Sequence, residues 1–193
     1  GRMAASYIID VIVDLQTDVV DGALGTPEAR AMIGRAAAEA RRAAAAGHAL
    51  FFTLDTHGPD YLASREGGDL PVPHCIRGTE GHRLAPAVAA VAEADIPACP
   101  HIRLVEKDTF GARDLPGAIA DFLAGRKAEK FRVWGLCTDI CVISNAMLLR
   151  AFFPEVPIEI LADCSAGVTP ESHATALAAL AACQCRIRNA ADA

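Results

Sequence analysis

The 193-residue chain has no excess of basic residues: Lys and Arg number 18 against 24 Asp and Glu, a formal charge of −6. Nucleic acids and anionic membranes reward a basic surface, so neither is expected as a partner. No apolar run approaches the ~18–20 residues of a membrane span. The opening Gly1-Arg2-Met3 lacks a signal peptide's layout and reads as a remnant ahead of an initiator Met, which points to the cytoplasm. Aromatics make up only 5%, yet the apolar fraction is 52%, much of it alanine; this excludes a disordered chain and reads as helix-rich. The seven cysteines, at 75, 99, 137, 141, 164, 183 and 185, are odd in number in a chain long enough to fold without staples. They read as reduced thiols. Cys183 and Cys185 bracket one Gln in an expected strand, where both side chains would face one side.

The rest is an alternation of strands and helices. Tyr7 to Asp14 is a near-continuous β-branched run, the pattern of a strand buried on both faces. Pro27 opens a long alanine-rich helix ending near Gly47. Strands follow at His48 to Leu54, Ile102 to Val105, Phe131 to Gly135, Ile158 to Leu161 and Cys185 to Ile187. Helices are expected at Leu84 to Glu93, Leu115 to Leu123, Asp139 to Phe152 and Pro170 to Ala182. The pattern predicts a single α/β domain over 1–193, a doubly wound parallel sheet with helices on both faces. Asp55 to Gly81 has no clear period and is longer than most loops in compact domains, the mark of a functional segment. Ligands of such sheets sit beyond the carboxyl ends of the strands.

Three residues fall at those ends. Asp14 closes the first strand, Lys107 follows the third, and Cys141 comes just after the fourth in what should be the first turn of a helix, where the macrodipole favours a thiolate. A carboxylate beside such a thiol can take its proton and return it to a leaving amine, and an ammonium can steady both. In Asp55-Thr56-His57, alternate residues can point the same way and offer an oxygen and a nitrogen to one ion, with His74 further along.

The segments IVDLQTD (12–18), VEKDTFGA (105–112) and GLCTDICV (135–142) resemble, in order and over nearly the whole chain, the three signatures of the isochorismatase-like cysteine hydrolases. That resemblance implies a three-layer sandwich around a six-stranded parallel sheet, with Asp14, Lys107 and Cys141 as catalytic triad. It also implies a cis peptide at Leu136-Cys137 and an oxyanion hole from the N–H groups of Cys137 and Cys141. The stretch from Asp55 to Gly81 is similar to the nicotinamidase (pyrazinamidase) branch, in which Asp55, His57 and His74 would bind a divalent metal, joined by Glu66. Such ligands suit Zn²⁺, with Fe²⁺ or Mn²⁺ also compatible. The implied reaction is hydrolysis of a small amide, nicotinamide to nicotinate and ammonia, through a Cys141 thioester. Many nicotinamidases carry aromatic residues where this chain has Val19 and, before the second metal His, Leu70 and Val72; Phe110 remains as a stacking wall. The alternatives are an amidohydrolase of the same family acting on a carbamoyl or ureido substrate, and a non-catalytic binding member. Whether the protein is a monomer or a homo-oligomer is left open by the sequence.

Overall fold

A computed structural model describes residues 6–94 and 101–190, so 1–3 and Cys99 lie outside the described residues. Its centre is a parallel sheet of six strands: β1 (Ser6–Val13), β2 (Ala49–Asp55), β3 (Ile102–Lys107), β4 (Lys127–Gly135), β5 (Ile158–Leu161) and β6 (Arg186–Arg188), in the order β3-β2-β1-β4-β5-β6. The order reverses between β1 and β4, where a doubly wound sheet opens a crevice at its carboxyl edge. The apolar run of β1 serves two cores by alternation. Ile9, Val11 and Val13 pack with Phe51, Phe131 and Val133 on one face, and Ile12 with Leu50, Phe52 and Trp134 on the other.

The helices are α1 (Thr17–Val20), α2 (Pro27–Ala45), α3 (Arg65–Asp69), α4 (Pro86–Ala92), α5 (Leu115–Leu123), α6 (Ile143–Phe152) and α7 (Pro170–Ala182). Helix α2 begins where expected because Thr26 accepts the Ala29 N–H at 3.0 Å and Pro27 occupies the first turn. Its buried Ala36, Ala37, Ala40, Ala43 and Ala44 join the Ile12 core together with α4, so small side chains take the place of the scarce aromatics. Residues of α5, α6 and α7 cover the opposite face.

Several expectations need correction. Strands β3 and β4 are longer than the apolar runs suggested, because backbone pairing carries on through polar residues; Lys107 is the last residue of β3 and pairs with Asp55. Cys183 and Cys185 do not share a strand. Cys183 caps α7, and Gln184 at φ +69° turns the chain before β6, so the alternation argument fails there. The Asp55 to Gly81 segment also holds helical pieces, α3 and two 3₁₀ turns (Tyr61–Ala63 and Glu80–His82).

Candidate active site and metal centre

Asp14, Asp55 and Lys107 stand at the carboxyl ends of β1, β2 and β3, and their side chains meet at the crevice. Lys107 Nζ lies 2.8 Å from Asp14 Oδ2 and 3.4 Å from Asp55 Oδ1, and donates to the Thr109 carbonyl at 3.0 Å and to Cys141 Sγ at 3.4 Å. Thr53 Oγ1 donates to Asp14 Oδ1 at 2.6 Å, so both oxygens of Asp14 are held. Asp14 sits at φ +50°, a conformation that costs a non-glycine residue about 1–3 kcal/mol and clusters at functional sites. Its N–H donates to the Thr53 carbonyl at 3.2 Å, which holds that turn in place.

Cys141 belongs to a π-helical turn, Thr138–Val142, that precedes α6, not to the first turn of an α-helix. Burial pushes its thiol well above the ordinary range and the Asp14 charge adds to this, while Lys107 opposes. Burial also raises the Asp14 carboxyl against the pull of Lys107, and Lys107, despite burial, is held firmly charged by Asp14, Cys141 and Asp55. Asp14 and Lys107 thus stand on either side of the same ion pair, with the Cys141 thiol in contact with Lys107. The Leu136–Cys137 peptide is cis, as the resemblance implied, and the Cys137 carbonyl accepts from the N–H groups of Ile140 and Val142.

A second group adjoins the first through Asp55. Ligand atoms of Asp55, His57, Glu66 and His74 all lie within 4.8 Å of one another. His57 Nε2 is 3.0 Å and His74 Nε2 3.1 Å from Asp55 Oδ2, and they are 3.6 and 3.8 Å from Glu66 Oε1. Four ligands at ~2.0–2.2 Å from one tetrahedral ion would stand roughly 3.3–3.6 Å apart, the span these pairs bracket. His74 Nδ1 faces the Val72 carbonyl at 2.7 Å; donation there leaves Nε2 as a lone pair aimed inward, the tautomer that a metal ligand needs. Two imidazole nitrogens against one buried carboxylate oxygen call for a proton or a cation between them. The residues thus fit a divalent ion. Burial pushes the Asp55 carboxyl up, but hydrogen bonds to His57 and His74 and the charge of Lys107 more than offset it, so it stays ionised well below the usual range.

The fold brings His74 back to β2 by pairing beyond the strand. His57 N–H donates to the Cys75 carbonyl at 3.0 Å and Arg77 N–H to the His57 carbonyl at 2.9 Å. Two residues of the first motif, unremarked in the sequence, hold this arrangement. Gln16 Nε2 donates to the carbonyls of Asp55 and His82, its Oε1 accepts the Asp55 N–H, and Asp18 Oδ2 accepts the N–H of Cys75. Tyr61 was missed as well; its ring packs edge-on against His57 and His74 at centroid distances of 4.8 and 4.9 Å. So was Asn145, which links the Lys107 loop to the Cys141 turn. A poor helix former among apolar neighbours in α6 was the available signal.

A cleft of about 920 Å³ reaches the second group through His57 and Glu66, and Thr56, Tyr61, Leu70, Phe110 and Ile140 are among its walls. Of the four expected substrate contacts, Leu70 and Phe110 line it; Val19 and Val72 do not. Val19 is buried in the Ile12 core, because the short helix α1 turns it inward.

The isochorismatase-domain family model matches residues 9–192. The chain belongs to the isochorismatase family. Among solved structures it is similar to a nicotinamidase from Bacillus subtilis at 26% identity, covering 94% of this chain and 98% of that one with a TM-score of 0.79. A pyrazinamidase/nicotinamidase from Streptococcus mutans is also 26% identical, covering 93% and 99%, with a TM-score of 0.78. The fold is shared with a pyrazinamidase of Pyrococcus horikoshii in complex with zinc, at 23% identity, coverage of 93% and 97%, and a TM-score of 0.74. No curated protein sequence matches this isochorismatase-family chain. Family and neighbours support a hydrolase, and no helix among the described residues is long and apolar enough to cross a membrane.

Proposed function

We propose that this protein is a metal-dependent nicotinamidase, hydrolysing nicotinamide to nicotinate and ammonia. The observation that carries the reading is the sharing of Asp55: one oxygen faces His57 and His74, the other faces the Lys107 that also contacts Asp14 and Cys141. A carboxamide at Cys141 and a ring nitrogen at the four ligands would then be parts of one molecule. The similarity to two nicotinamidases at 26% identity supports it.

In this mechanism Cys141 Sγ attacks the carboxamide carbon while Asp14 takes the thiol proton. The N–H groups of Cys137 and Cys141 are assigned to the oxyanion. The C–N bond breaks as Asp14 returns the proton to nitrogen, ammonia leaves, and a thioester remains. Asp14 then accepts a proton from water as its oxygen attacks the thioester; nicotinate departs and sulfur is reprotonated. Lys107 keeps Asp14 charged and in place. Asp55, His57, Glu66 and His74 would hold a divalent ion, zinc by analogy with the Pyrococcus horikoshii structure, which would bind the pyridine nitrogen and polarise the ring. A reducing compartment such as the cytoplasm suits the free thiols, and the product suits pyridine-nucleotide salvage.

The test is ammonia release from nicotinamide by the purified protein, before and after chelation and with Zn²⁺, Fe²⁺ or Mn²⁺ restored. Release that needs both metal and Cys141, with Cys141→Ala still binding metal, is the expected result. Turnover retained by Cys141→Ala would sink the mechanism, and metal-independent release of ammonia from a ureido substrate would favour the carbamoyl alternative.

A further inference from the structure

Six large apolar side chains are exposed among the described residues, and they are not scattered evenly. Leu70 (36% exposed) and Phe110 (46%) line the cleft that reaches His57 and Glu66, and Leu62 (55%) lies between two more of its lining residues, Tyr61 and Ala63. Patches of this kind beside a concave site mark a ligand surface. The volume tells the same story. At about 920 Å³ the cleft is near the top of the ~300–1,000 Å³ range in which drug-sized ligands are buried, far more than one six-membered ring with its carboxamide fills.

Charge narrows what can occupy the remainder. Asp60, Asp69 and Asp108 line the cleft against Arg65, and Arg65 already faces Asp69 at 3.7 Å while Arg113 holds Asp108 at 2.8 Å. A phosphate-bearing amide meets net repulsion there. A neutral apolar group meets Phe110, Leu70 and Ala63.

We propose that the cleft selects primary carboxamides of a pyridine-type ring that carry a neutral apolar substituent on the side facing away from the carboxamide, with Phe110 and Leu70 as the residues that set this preference. The inference rests on the function proposed above. With the carboxamide at Cys141 and the ring nitrogen at the four ligands, ring position 5 is meta to both anchors and is left free by them, and two of the four ligands, His57 and Glu66, are also walls of the cleft. Each methylene fully removed from water there is worth up to about fourfold in kcat/KM.

The experiment compares nicotinamide with 5-methyl- and 5-butylnicotinamide on the zinc-loaded wild type and on Phe110→Ala and Leu70→Ser, reading the ratio of each kcat/KM to that of nicotinamide. The expected ratio for the butyl compound is tenfold or more in the wild type and at least threefold smaller in either variant. Calorimetric affinities for the matching nicotinates should follow the same order. A wild-type ratio at or below one, with nicotinamide itself turned over, overturns the inference and leaves the proposed function standing. No turnover of any of the three amides by protein that binds zinc overturns both.

Discussion

Replacing Asn145 with Leu tests whether the Cys141 turn is held by one buried side chain. Asn145 is fully buried in α6; its Oδ1 accepts the Ala112 N–H at 2.8 Å, and its Nδ2 donates to the Cys141 carbonyl at 2.8 Å and the Phe110 carbonyl at 3.2 Å. Leucine keeps the branching of the side chain, with two bulkier methyl groups, and removes all three bonds. The Ala112 N–H loses its partner at a cost of about 1–3 kcal/mol, and the two carbonyls lose about 0.5–1.5 kcal/mol each. The expected destabilisation is about 3 kcal/mol. For a chain of this length that lowers Tm by roughly 6–12 °C. Urea denaturation gives the clean measurement, with a lower midpoint at unchanged slope. Because the bonds join the 108–112 segment after Lys107 to the Cys141 turn, alkylation of Cys141 should also change rate. A loss below about 1 kcal/mol, with unchanged alkylation, would refute the claim that Asn145 ties these segments together.

Four other outcomes follow from the same geometry. Burial pushes Glu159 up, but hydrogen bonds and charge from Arg188 and Lys130 hold its carboxyl below the ordinary value. Its contribution to stability is therefore complete above the unfolded pKa near ~4.3 and fades as pH falls through the lower folded value; Glu159→Gln should be less stable at pH 7, and urea midpoints should converge below about pH 4. Gly135, at φ +130°, leaves no room for a Cβ, which would stand 2.3 Å from the Val13 carbonyl oxygen; Gly135→Ala should cost more than about 2 kcal/mol by thermal unfolding, and a smaller change means that β1 and β4 yield there. Zinc at ~100 times its Kd should add about 2.7 kcal/mol to unfolding, an increment that His74→Ala should abolish in a thermal shift assay. Asp14→Asn should lower kcat by about 10²–10⁴ with zinc affinity unchanged, because Asp14 stands outside the four-ligand group; weakened zinc binding would contradict that separation.

Much of the site was legible because chemistry-bearing residues sit at element ends, where the polarity pattern breaks. Asp14 and Asp55 end apolar runs, Asp55 and His57 alternate so that both can face one ion, and the resemblance to the nicotinamidase branch implies His74 beside them. Glu66 is harder to read, since only the folded segment, with α3 packed beneath Tyr61, shows that its carboxylate reaches both imidazoles. The surroundings of Cys141 are not legible in local sequence. The first turn of an α-helix was expected there, whereas the chain forms a π-helical turn in which burial and the facing Asp14 push the thiol up and Lys107 opposes, and none of these neighbours can be deduced from the residues around Cys141. The place of Val19 was equally illegible: it follows the first motif directly, and only the fold shows that α1 buries it in the Ile12 core.

The sequence by itself determined the alternation of strands and helices, the burial of β1 on both faces, the start of α2 and which residue types stand at the carboxyl edge. These are local properties, written in periodicity and in single residues such as Pro27. The tertiary structure decided that one carboxylate, Asp55, serves two groups at once, that Gln16 and Asp18 anchor a segment about sixty residues away, and that Phe110 and Leu70 border an open cleft. Those facts depend on the crossing of separate chain segments at the β1–β4 reversal. Distances there are set by sheet pairing and core packing, to which spacing along the chain is blind.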